Sequence, residues 1–163
     1  MPRSSAGRSL AAIALLSLLV ACADGREARR DVGQVTAFAG LSRALVTQGA
    51  PMPTEVRGGP VSALSGLRLP PSFGGGALTP GGPEVRGTRL LIAFGGTPGS
   101  DLCSGGGGSG GTDTAVALCD GAATLGVIPL RGINSPDDPR FAPAMRQAMF
   151  LLIPDNRPRG SGN

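Results

Sequence analysis

Lysine, histidine, tryptophan and tyrosine are all absent from this chain of 163 residues, and each absence removes a class of chemistry. Without histidine there is no Ser-His-Asp or Cys-His relay to activate a nucleophile. Without lysine a P-loop cannot form, because its Gly-rich turn must end in Lys-Ser/Thr to reach the phosphates. Aromatic residues amount to 3 %, all of them Phe, so the side chains that usually dominate burial are scarce and the core is expected to be small. No basic run interleaved with aromatics is present, which excludes the footprint of a nucleic-acid binder. All 15 basic residues are Arg against 11 acids. Scarcity of Lys, Tyr and Asn has the look of GC-rich coding bias, and that accounts for the high pI without a polyanionic partner. A run of about 20 apolar residues, the length that spans a bilayer, is also missing.

Glycine and proline are what the chain has in excess: 28 Gly and 15 Pro, roughly a quarter of its length, close to compositions that favour low-complexity segments. A hydrophobic fraction of 40 % still argues for a folded unit.

Residues 1–21 are built like an export signal. Arg3 and Arg8 precede an apolar run over residues 10–20, and charged Asp24, Arg26, Glu27, Arg29 and Arg30 follow. The run ends in Leu19-Val20-Ala21-Cys22. This motif resembles the lipobox of bacterial lipoproteins. The resemblance covers only the first 22 residues. It implies that the Cys22 thiol takes a diacylglyceryl group, that cleavage occurs before Cys22, and that Leu19, Val20 and Ala21 are read by the peptidase. Two acyl chains hold a protein on a bilayer where one binds only marginally. The implied partner is therefore the lipid bilayer, reached through acylated Cys22. Ala23 rather than Asp follows the cysteine, which in that family leans towards the outer membrane, facing the periplasm. Ala21-Cys22-Ala23 also satisfies the A-x-A pattern of ordinary signal cleavage, which would release a soluble protein instead.

Three cysteines are an odd number for an exported chain. Either processing route leaves Cys103 and Cys119, and an oxidising compartment permits a disulfide between them; two free thiols are the alternative. A bridge closing a loop of about 15 residues contributes roughly 3 kcal/mol in the chain-entropy model. Two Cys without His cannot complete a zinc shell, so no metal is expected.

Residues 22–31 read as a tether and 32–87 as a loop-rich segment. Within it, Val35, Phe38, Leu41 and Leu45 have helical spacing over residues 32–46, with Gly33 and Gly40 weakening it. Pro51, Pro53, Gly58, Gly59 and Pro60 break the chain into loop. Residues 61–69 suggest one short strand or turn, and residues 70–87 a linker. The organised core is expected over residues 88–153. Residues 89–94 and 114–119 read as buried strands, Asp120-Gly121 as a turn, and residues 124–130 as a third strand, placed at an edge by Pro129. Phe141, Met145, Ala148, Met149 and Leu152 fall on one helical face, with Asp137 or Asp138 as cap, Pro139 in the first turn and an end before Pro154. Residues 154–163 read as a disordered tail. The expected fold class is α+β: about three antiparallel strands packed by a C-terminal helix, with long Gly/Pro-rich loops. Its ending is similar, loosely, to that of small uncharacterised lipoproteins of Gram-negative bacteria.

The glycine tract 105–111 precedes a strand, not a helix, so it is a flexible loop rather than a phosphate cradle. Asp101, Asp113, Asp120, Asp137 and Asp138 lack the spacing of a calcium loop, and three of them have turn or cap roles. No catalytic or cofactor-binding residue is named. The functional expectation is a non-enzymatic envelope lipoprotein with a structural, assembly or interaction role and an unknown envelope partner. The alternative is a periplasm-facing small-ligand carrier or accessory subunit.

Overall fold

The computed structural model describes residues 30–38 and 49–153. The signal segment, the lipobox with Cys22, residues 39–46 of the expected N-terminal helix, and the tail lie outside them.

Six strands form one mixed sheet: β1 (Thr36–Ala37), β2 (Met52–Arg57), β3 (Leu78–Pro80), β4 (Thr88–Phe94), β5 (Thr114–Asp120) and β6 (Ala123–Leu130), in the order β1-β6-β5-β4-β2-β3. This corrects the expected three-stranded antiparallel sheet. The β4-β5-β6 meander is antiparallel, whereas β2 runs parallel to both β4 and β3. The additional strands come from segments whose prolines signalled loop. Pro53 is tolerated inside β2 for a geometric reason. Met52 donates its N–H to Ala77 on the β3 side, so the next N–H position points towards β4, whose pairing begins only at Thr54. Pro80 closes the edge strand β3, where a missing donor costs nothing.

Residues 36–37, expected in a helix, form β1 instead and pair with Gly126 and Val127 of β6. That pairing removes β6 from the edge position that Pro129 suggested. Pro129 contributes its carbonyl, which accepts the Gly33 N–H at 2.8 Å. Gly33 is required here, since a Cβ would lie 2.6 Å from the Pro129 ring. Residues 61–64 and 71–73 form 3-10 turns.

Alternation along the strands gives the sheet two unlike faces. Leu90, Ile92, Val116, Leu118, Ile128 and Leu130 point to the first and pack with the helix α1 (Phe141–Leu152). The predicted stripe of Phe141, Met145, Ala148, Met149 and Leu152 is buried there, and the Phe141 ring lies 5.3 Å from that of Phe94. The helix begins later than its sequence signals suggest. Arg140 occupies the cap position without a capping side chain. Asp138 acts one turn earlier, accepting the Arg140 N–H at 2.9 Å, and Pro143 sits in the first turn, where its missing N–H has no intrahelical partner to lose.

The second face carries smaller side chains: Ala93, Ala115, Ala117 and Cys119 beside Leu91 and Val127. Small residues allow a loop to approach closely. Leu102 and Cys103, in the 3-10 turn Leu102–Ser104, pack directly onto it.

Candidate functional site

Two features of the described residues have the chemistry of a site. One lies on the second sheet face, the other outside α1.

On the second face, alternation brings Glu55 and Arg57 of β2 to the same side as Arg89 of β4. Glu55 accepts from Arg57 Nε at 2.6 Å through one carboxylate oxygen and from Arg89 Nε at 3.3 Å through the other. Arg89 is fully buried, its guanidinium also donating to the carbonyls of Gly121 and, at 3.1 Å, Cys103. Arg57 donates to the Leu102 carbonyl at 2.7 Å. A buried arginine needs both a counter-charge and acceptors for its planar fork, and this one has them.

The same contacts hold the glycine-rich connection in place. Cys103 and Cys119 meet at disulfide distance, with Cα atoms 5.8 Å apart. Cys103 also donates its N–H to Thr124 Oγ1 at 3.0 Å. Thus one short turn is tied to β5 covalently, to β6 by a hydroxyl, and to β2 and β4 by arginines. Beside this clamp lies an open cavity of about 460 Å³, lined by Glu55, Arg57, Arg89, Ser104, Gly105 and Ala122 among others.

The second feature is a groove of about 690 Å³ between the chain around residues 66–75 and the outer side of α1. Leu67, Pro71, Pro143 and Phe150 give it apolar walls, while Arg68 and Arg146 are the charged residues lining it. Phe150 is 60 % exposed and its neighbour Leu151 46 %. A large aromatic side chain exposed on the wall of an apolar groove is unlike the scattered apolar residues a surface tolerates.

Of the residues singled out from the sequence, the structure joins Cys103 to Cys119; Cys22 with Leu19, Val20 and Ala21 lies outside the described residues. The five aspartates do not converge. Asp113 accepts from the Gly132 N–H at 2.9 Å, holding the exit of β6. Asp138 binds Arg140 through backbone and side chain, and the Arg140 guanidinium hydrogen-bonded to it holds its carboxyl below the usual carboxylate range. Among the described residues no three potential ligands are grouped for a metal, and no helix is long and apolar enough to cross a membrane.

Glu55, Arg57 and Arg89 were missed. A signal existed: Glu55-x-Arg57 has strand alternation, and Arg89 abuts a wholly apolar run. The surrounding prolines and glycines masked it. Compared with known proteins, the chain matches no family model, no curated protein and no solved structure.

Proposed function

We propose that the chain is a lipoprotein of the bacterial envelope, anchored through acylated Cys22, whose folded unit serves as a non-enzymatic interaction module. The lipobox-like Leu19-Val20-Ala21-Cys22 behind a short apolar run supports the anchor. The module reading is carried by one observation, the groove along α1 with Phe150 exposed at its wall. Its charged lining residues are Arg68 and Arg146, with no carboxylate among them. The occupant that fits is an apolar segment of another envelope protein bearing Asp or Glu. Its side chains would cover Phe150 while its carboxylates pair with the two arginines.

A palmitate analogue fed to cells should label wild type and not Cys22→Ser, and the variant should leave the membrane fraction. Unlabelled wild type in the soluble fraction would instead mean cleavage after Ala23. A photo-crosslinker at Gln147, at the groove, tests the occupant. Mapped adducts should fall on a carboxylate-rich apolar segment and vanish with Phe150→Asp. Adducts on lipid, or on a second copy of this chain, would refute the assignment.

A second reading, a small-ligand carrier, is favoured by one specific observation: the cavity beside Arg89.

A further inference from the structure

The cavity at the clamp is built from more positive than negative charge. Arg57 and Arg89 face a single carboxylate, Glu55, so the trio carries one excess positive charge, and Glu55 is the only acid among the described residues lining the space. The hydrogen bonds point the same way. A guanidinium has five N–H donors. Arg89 gives one to Glu55, one to Gly121 and one to Cys103, which leaves two. Arg57 gives one to Glu55 and one to Leu102, which leaves three. Arg89 is wholly buried, so it acts on the cavity through its charge, whereas Arg57, with 27 % of its side chain exposed, has donors that a ligand can reach. Pro83 and Ala122 add apolar surface to the wall, and Ser104 a hydroxyl.

We propose that this cavity binds a small organic monocarboxylate, its carboxylate received by the part-exposed Arg57 with the charge of buried Arg89 behind it, and its organic part lying towards Pro83 and Ala122. A planar carboxylate matches the fork of a guanidinium. One excess positive charge is neutralised by a monoanion, whereas a phosphate dianion would leave uncompensated negative charge next to Glu55 in a partly buried place. A cavity of about 460 Å³ is in the range that small ligands occupy. The inference deepens the carrier reading and is independent of the groove on α1, which lies on the opposite side of the sheet.

The test is titration of the full chain, its disulfide intact, with N-acetylglycine at constant ionic strength. The readout is the Arg89 Nε–Hε proton signal, which burial protects from exchange. A saturable shift is expected, weakened at least tenfold by Arg57→Gln, and equally by Ala122→Leu, which fills the mouth at an exposed turn position without altering a charge. Circular dichroism establishes that each variant is folded. N-acetylglycinamide, the neutral counterpart, should not bind. If the amide binds as well as the acid, carboxylate recognition is overturned while the carrier reading survives. If inorganic phosphate binds more tightly than the acid, the monoanion argument fails. A shift that follows ionic strength and never saturates overturns the site itself.

Discussion

Replacing Glu55 by glutamine keeps the shape of the side chain and removes the only negative charge between two guanidinium groups. Arg89 bears the consequence, because its side chain is 1 % exposed and its Nε lies 3.3 Å from the carboxylate. At an effective dielectric constant near 20 a pair at that separation gains about 5 kcal/mol of Coulomb energy. Part of this is returned, since a neutral amide does not carry the desolvation of a buried carboxylate. Removing one partner of a buried pair typically costs about 3–5 kcal/mol. Arg57, at 27 % side-chain exposure, is screened by water and adds little. The expected loss is about 3 kcal/mol. With a urea m-value of about 2 kcal/mol/M this lowers the unfolding midpoint by about 1.5 M. Urea unfolding followed by circular dichroism, with wild type and Glu55→Gln both oxidised, measures it. A midpoint within about 0.5 M of wild type, roughly 1 kcal/mol at that m-value, would mean that the Gly121 and Cys103 carbonyls alone satisfy Arg89, and the ion-pair argument would fail.

Three further outcomes follow from other contacts. Gly33→Ala places a methyl 2.6 Å from Pro129; it should cost about 1–3 kcal/mol and speed hydrogen exchange at the Phe38 and Arg131 amides, which bond across this N-terminal segment. Removing the bridge by changing both Cys103 and Cys119 to alanine opens a loop of sequence separation 16, for an expected loss of about 3 kcal/mol by urea unfolding; a loss below about 1 kcal/mol would show that arginines and packing hold the turn unaided. Asp138 has a folded-state pKa below its ordinary value because of its hydrogen bond from Arg140, so its contribution is complete above the ordinary carboxylate range and disappears as pH falls through the lowered value. The stability difference between wild type and Asp138→Asn should therefore shrink on acidification, and a difference that grows as pH falls would refute the assignment.

The centre of the sheet was legible because β4 and β5 are buried on both sides and read as continuous apolar runs. The core face of α1 was equally plain, since five residues at helical spacing leave little alternative. The outer strands were not legible. β2 reads Met-Pro-Thr-Glu-Val-Arg, a sequence whose proline and charges fit a loop, and it becomes a strand because β3 and β4 supply partners from about 25 and 35 residues away. β1 has only two residues and follows from pairing with β6, not from any propensity of its own. Its apolar spacing at Val35 and Phe38 was open to a helical reading, and long-range pairing decided against it over residues 36–37. The cystine could be reached by counting, whereas the Glu55–Arg89 pair, separated by 34 residues, could not: nothing local marks two charged residues as partners.

The two sheet faces solve the shortage of aromatic residues in different ways. The first is sealed by aliphatic and Met side chains under α1, and its stability is that of ordinary burial. The second has mostly alanine to offer and is covered by a turn drawn from a glycine-rich connection, which has high conformational entropy and little apolar area to offset it. A covalent bridge and two arginine-to-carbonyl contacts compensate where packing is thin. That arrangement bears on the proposed carboxylate site. A turn held by a few directional contacts leaves space around it, and the groups that hold it are charged, so the cavity and its recognition chemistry arise from the same residues that fix the loop. The outer side of α1 owes nothing to that clamp. Variants of Glu55 or Arg89 should therefore couple stability to ligand binding, whereas Phe150 and Arg146 can be changed for binding with the fold left intact.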